Sequence, residues 1–391
     1  MIYPRKLGAR LIRELDSPRI TLLTGMRQTG KTTLIRQIFG KVQNENKLFL
    51  DLENPLNQSI FEEKNFDNIL SNLRELGIDP EKKIFLFLDE IQLAPAITRA
   101  VKYLYDNYRV KFFLTGSSSY YLKNLFSESL SGRKIIYELF PLDFEEFLIF
   151  KGQEKKFPSA IEKKAKAKNR IAFEKQNKYY DEYLKSGGFP GVVLEKKNKR
   201  SVLEDIFRSF FEKDVRTLAD FKGIRELRDL IILLANRIGS KLDVSKLARE
   251  IGISRETVYS YLGFLEKTYF VSLISPFSRS LNGEVRGAKK IYFCDTGLVN
   301  LLGKTAEGNI FENAVFLNLR DHGKINFYEK YKGPEIDFIL DGKAALEAKI
   351  HGDSTDLKKL KRTASGLNLK NYYLITKNYF DHPRAIPAVD L

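Results

Sequence analysis

Phosphate chemistry is written in Gly25-Met26-Arg27-Gln28-Thr29-Gly30-Lys31-Thr32-Thr33, which has the full G-x-x-x-x-G-K-T spacing. The β-prone Ile20–Leu23 precedes it, and Leu34–Phe39 follows with apolar residues at helical spacing. Glycine at 25 and 30 lets backbone N–H groups turn toward a phosphate, and the helix start adds a positive dipole end. Lys31 is expected to reach the β- and γ-phosphates of a purine nucleoside triphosphate, and the Thr32 hydroxyl to ligate Mg2+. A second apolar run, Ile84–Leu88, ends in Asp89 and Glu90. It reads as a buried parallel strand, which places both acids at the carboxyl edge where such sheets bind ligands. Asp89 is assigned to the metal shell and Glu90 to activating the attacking water. A third strand, Val110–Leu114, runs into Thr115-Gly116-Ser117-Ser118-Ser119, whose hydroxyls could meet the γ-phosphate or serve ordinary turn chemistry.

Near the C-terminus a helix around Phe311–Leu319 carries Glu312 on the face of Val315 and Phe316. Two strands follow, Glu335–Leu340 and Ala344–Ile350. Alternation turns Glu335 and Asp337 one way on the first strand, and Glu347 and Lys349 one way on the second. A three-residue turn at Asp341–Lys343 sets Asp337 opposite Glu347; a two-residue turn scatters the polar set. The polar cluster favours the former.

Between these regions the pattern becomes mostly helical, with Leu203–Ala219 and Glu226–Arg237 as amphipathic helices. Leu242–Leu262 then reads as a helix-turn-helix, with Ser245 capping the first helix, Gly252 turning the chain and Ser254 capping the second. Its core would be Leu247, Ala248, Ile251, Ile253, Val258 and Leu262. Phe270–Ile274 and Ala288–Phe293 flank a polar Arg279–Arg286 hairpin, completing a winged helix. In a DNA reader the second helix presents Arg255, Thr257 and Ser260 to the bases, and Lys246 and Arg249 meet phosphates. A winged domain used for packing or protein contact is the competing reading.

The 391 residues carry a formal net charge of +16, which suits a polyanionic partner but also plain solubility. Part of it lies in Lys151–Lys178, read as a solvated helix without a site. No apolar run is long enough to span a membrane and no signal segment opens the chain, so the expectation is cytoplasmic with no membrane partner. The lone Cys294, in an apolar strand-like run, reads as a core residue. The expected segments are 1–150 for the nucleotide core, 151–240 for a charged helical insert and lid, 241–305 for the winged helix and 306–391 for a final α/β unit.

The glycine loop, Asp89-Glu90-Ile91-Gln92, Leu114–Ser118, Leu130-Ser131-Gly132-Arg133 and Phe140–Phe147 together resemble a family of prokaryotic AAA-type (AAA+ superfamily) ATPases with a C-terminal region of unknown function. The resemblance implies an α/β parallel-sheet P-loop core, ATP hydrolysis, ATP/ADP and Mg2+ as ligands, and a homo-oligomer as one open arrangement. It makes Ser117 or Thr115 a γ-phosphate sensor, Gly188 and Pro190 a lid turn touching nucleotide, and Arg133, more weakly Arg99, an arginine finger. The C-terminal order of acids and E-x-K resembles the restriction-endonuclease-like core. There Asp337 and Glu347 would hold metal, Lys349 would position water and Glu312 would support them. Pro334 is displaced from that family's usual place, since it precedes Glu335 rather than Asp337. Live nuclease chemistry and a fold kept for binding, with the same residues in salt bridges, both stay open. The functional expectation is an ATPase whose nucleotide state controls DNA engagement, with cleavage open. The alternative is a nucleotide switch that binds a protein partner.

Overall fold

The computed structural model describes residues 3–94, 97–117, 132–153, 158, 160–166, 168–216, 223–278, 284, 287–330 and 333–391. The chain divides into two compact units, the first formed by Met1–Phe140 with Glu212–Ala219 and Lys267–Tyr269, the second by the rest.

In the first unit, β1 (Ile20–Thr24), β2 (Lys47–Asp51), β3 (Ile84–Asp89), β4 (Val110–Gly116) and β5 (Lys134–Glu138) form one sheet in the order β2-β3-β4-β1-β5. All its pairings are parallel. The central strands β1, β3 and β4 are buried throughout because both faces are covered, and the period of two sorts their side chains. Leu22, Leu86, Leu88, Phe112 and Leu114 pack toward the helices Phe66–Glu75 and Ile97–Asn107. Leu23, Phe85, Phe87 and Phe113 pack toward the helix Lys31–Phe39 on the other side. Parallel strands all point their carboxyl ends the same way, so β1, β3 and β4 deliver Thr24, Asp89 and Thr115 to one edge of the sheet.

The second unit contains a five-stranded mixed sheet in the order β12-β11-β10-β9-β8. Its members are β8 (Ile325–Glu329), β9 (Glu335–Leu340), β10 (Ala344–Lys349), β11 (Asn371–Thr376) and β12 (Ala385–Pro387). The helix Glu307–Leu319 covers one face through Phe316 and Leu319, and Ser354–Gly366 covers the other through Leu360 and Ala364. The β9–β10 ladder pairs Leu340 with Ala344 and Phe338 with Leu346. This is the register of a three-residue turn, with Asp341 and Gly342 both at positive φ.

The same unit holds the helices Val244–Ile251 and Arg255–Lys267, joined at Gly252, whose φ of 80° suits glycine. The antiparallel pair β6 (Val271–Ile274) and β7 (Lys290–Phe293) follows. Several local expectations are corrected. Asp243, not Ser245, caps the first helix, accepting from the Lys246 N–H; its carboxylate stands two residues closer to the extended chain. Ser254 does cap the second helix, accepting from Thr257 N–H at 3.1 Å. Ile251 and Ile253 are only half-buried. Lys199–Ser209 is α-helical and continues as a π-helix over Phe210–Val215, where an α-helix alone was expected. Lys151–Lys178 is not one solvated helix: Ile161–Lys166 and Arg170–Ser186 are separate, and Lys164 is buried with its Nζ on the Asp390 and Leu391 carbonyls. Most of the expected wing, at 279–283 and 285–286, lies outside the described residues, as do Ser118, Ser119, Leu130 and Ser131. Cys294 is buried. Among the described residues no helix is long and apolar enough to cross a membrane.

Candidate functional site

The loop from Gly25 to Gly30 closes over the carboxyl end of β1, with φ of 148° at Gly25, 61° at Gln28 and 94° at Gly30. A side chain at Gly25 would collide with the Leu139 carbonyl, so this glycine is needed for its neighbour as much as for a ligand. Thr29 Oγ1 donates to the Met26 carbonyl at 2.9 Å, and Arg5 reaches the Thr29 and Phe140 carbonyls at 2.7 Å each. Lys31 begins the helix and is buried; its Nζ donates to Gly25 O at 2.8 Å and Met26 O at 2.9 Å. Burial pushes the Lys31 ammonium down, opposed by Glu90, Asp214 and Asp89. Thr33 and Gln28 are exposed, and Arg27 and Thr32 half-buried.

Asp89, 2% exposed, ends β3. Burial raises its pKa, while hydrogen bonds from the Thr115 and Thr32 hydroxyls pull it down. Thr32 and Asp89, separated by most of the core in sequence, thus present adjoining hard oxygen donors, a set that fits Mg2+. Glu90 has φ 56° and ψ 46°, a left-handed conformation that costs a non-glycine residue energy and occurs at functional positions. Its N–H lies 3.1 Å from Thr115 Oγ1. Gln92 Nε2 donates both to the Glu90 carboxylate and, at 3.1 Å, to Ser117 Oγ. Sequence reasoning quoted Gln92 but gave it no role, and the bridge became visible only when β3 and β4 were paired.

Asp214 is the second residue it missed. It is buried in the first unit, and Arg27 Nε contacts its Oδ1 at 3.0 Å. Burial pushes its carboxyl up to about 6, against the pull of Arg27 and Lys31. Arg133 pairs with Asp106 at 3.3 Å, and Arg99 is exposed on the helix Ile97–Asn107.

In the second unit, Gly188 donates its N–H to Asp295 Oδ2 at 2.6 Å, and its carbonyl accepts from Leu142 N–H at 2.8 Å. Both of its backbone polar groups are therefore used within the second unit, and Pro190 heads the helix Pro190–Leu194. The register sets Asp337 beside β10, where it accepts from the Ala348 N–H at 2.8 Å, and Lys349 pairs with Glu347 at 2.9 Å. Glu312 accepts from Tyr292 Oη at 2.6 Å. Lys290, which the sequence did not flag, projects its Nζ among Glu335, Glu312 and Asp337. Burial works to lower Lys290, but the carboxylates outweigh it and hold it above the usual lysine value. Among the described residues no three His, Cys, Asp or Glu side chains are grouped to hold a metal ion. The expected metal pair Asp337 and Glu347 is thus brought to one strand pair without forming a metal cage.

A family described as an AAA domain matches residues 17–148, and a domain of unknown function matches residues 177–308. The uncharacterized protein MJ1544 of Methanocaldococcus jannaschii is 30% identical over 387 residues, covering 93% of this chain and 82% of that one. The chain belongs to this family of AAA-domain proteins. An uncharacterized protein of Haemophilus influenzae is 28% identical, covering 87% of this chain and 84% of that one. Among solved structures, the Walker-type ATPase PABY2304 of Pyrococcus abyssi is 17% identical with a TM-score of 0.49, covering 77% of this chain and 96% of that one. The strands β8 to β12, with Asp337 and Glu347, lie beyond both matched ranges.

The first unit therefore carries an acid, Asp214, contributed from far along the chain to Arg27 of the loop Gly25–Gly30. An ionised carboxylate there engages Arg27 and acts on the Lys31 ammonium, so it would oppose a phosphate brought to Lys31. Asp214→Asn is expected to tighten ATP binding about tenfold at pH 8, the worth of one pKa unit. Because the folded carboxyl holds its proton up to about pH 6, the advantage of the variant should shrink as pH falls through 6. Fluorescent-nucleotide titrations of both proteins from pH 5.5 to 8 read this; an advantage unchanged across that range contradicts it.

Proposed function

We propose that this protein hydrolyses ATP with Mg2+ at the loop Gly25–Thr33 and that the nucleotide state governs engagement of DNA by the second unit. The observation that carries the first part is the convergence of Lys31, Thr32, Asp89, Glu90 and Ser117 at the carboxyl edge of β1, β3 and β4. When bound, Mg2+ supplies charge neutralisation of the phosphates, and Thr32 and Asp89 would hold it. Backbone N–H groups from Met26 to Thr33 cradle the phosphates, Lys31 stabilises negative charge on them, and Glu90 takes a proton from the attacking water. Gln92 fixes Glu90 and Ser117 relative to each other. Arg133 or Arg99 from a second copy remains the proposed arginine finger.

DNA engagement is supported by Lys246, Arg249, Arg255 and Ser260, all exposed on the two helices joined at Gly252. Thr257 is half-buried and bonds Ser254, which fits it for capping more than for base contact. Beside the second helix lies a groove of about 710 Å³ lined by Lys241, Ser245, Arg255, Tyr259 and Lys289. Tyr259, 57% exposed, offers a ring there for stacking. We read these helices with β6 and β7 as a winged helix. The test is DNA affinity of the full chain with ATP analogue, with ADP and without nucleotide, across a salt series. Affinity should differ between nucleotide states, and Arg255→Ala should weaken it by about 1–3 kcal/mol or lower the salt slope by about one. Weak, salt-insensitive retention in every nucleotide state would transfer the role to a protein partner.

A further inference from the structure

We propose that Lys290 is the resident cation of the acidic cluster on β9 and its neighbours, so that the cluster takes no divalent metal in the native chain. Lys290 begins β7 and is 2% exposed. Its Nζ contacts Glu335, lies 3.7 Å from Glu312 and lies 4.0 Å from Asp337. The ammonium supplies the positive charge for three carboxylates, and a second cation brought among the same oxygens would meet its charge at close range.

Other donors of the chain also engage these carboxylates. Tyr292 donates to Glu312, the Ala348 N–H donates to Asp337, and Lys349 pairs with Glu347. Glu347 Oε2 is fully buried without a hydrogen-bond partner, and one such oxygen does not by itself make a metal site. Lys290 is enclosed along its length. Its backbone is paired with Ile274 across β6–β7, and its Nζ lies 5.4 Å from the centre of the Phe327 ring. The ion cluster therefore ties β7 to the strand β9 and the helix Glu307–Leu319. It acts as a clasp within the second unit instead of a cleavage centre. This inference does not depend on ATP turnover.

The experiment counts bound Mn2+ by electron paramagnetic resonance in the full, nucleotide-free chain, with Asp89→Asn present throughout to silence the phosphate loop. With Lys290 intact, no bound Mn2+ should be lost on adding Asp337→Asn. Lys290→Met should gain one site, with a Kd about tenfold or more below any weak surface binding, and that site should vanish with Asp337→Asn. Added Mn2+ should raise the Tm of Lys290→Met and leave that of its parent unmoved. A Mn2+ ion held with Lys290 intact and lost with Asp337→Asn overturns the proposal, as does a folded Lys290→Met that gains none. If Lys290→Met fails to fold, the comparison with Lys290 intact decides alone.

Discussion

Lys31→Ala is expected to weaken ATP binding by about a hundredfold or more, close to 3 kcal/mol, and to remove turnover while the chain stays folded. The side chain is buried at the start of a helix, with Glu90, Asp214 and Asp89 acting on its charge. Its Nζ donates to the carbonyls of Gly25 and Met26, which water can satisfy once the side chain is gone. Phosphate oxygens have no such substitute, since neutral backbone donors are weaker partners for them than an ammonium. Calorimetric ATP titration with a thermal melt checks both halves, and an unchanged Kd in a folded variant contradicts the assignment.

Glu90→Gln should separate binding from chemistry. Glutamine keeps the shape and can still meet Gln92, so the loop and ATP affinity persist. It cannot accept the proton of an attacking water, so turnover should fall by about a hundredfold to ten-thousandfold. The strained backbone at Glu90 is the structural reason to expect a special role: the chain holds a glutamate at φ 56°, where glycine would be easier. Rapid filtration should recover unhydrolysed ATP on the variant and mostly ADP on the parent. Equal turnover in both would move the general base elsewhere.

What the sequence made legible is what local patterns determine. The glycine spacing, the helix after it and the apolar runs ending in Asp89 and Thr115 are short-range signals, and the parallel sheet follows from them. The register of β9 and β10 was legible too, because only a three-residue turn keeps Asp337 and Glu347 together. The residues that sequence missed act across long separations. Asp214 meets Arg27 from 187 positions away, and Lys290 meets Glu335 from 45 away. Nothing near either residue marks it: Asp214 sits in a helical run and Lys290 opens a four-residue strand. The misplaced cap at Ser245 has a smaller cause, since Asp243 and Ser245 are both good cap residues and only backbone angles choose between them.

The single most direct measurement is phosphate release from ATP by the full chain, with Mg2+, with EDTA, and in Glu90→Gln. Release that requires Mg2+ and collapses in Glu90→Gln while nucleotide stays bound is the predicted result. Bound nucleotide with no release from the native chain, or equal release from Glu90→Gln, would contradict it.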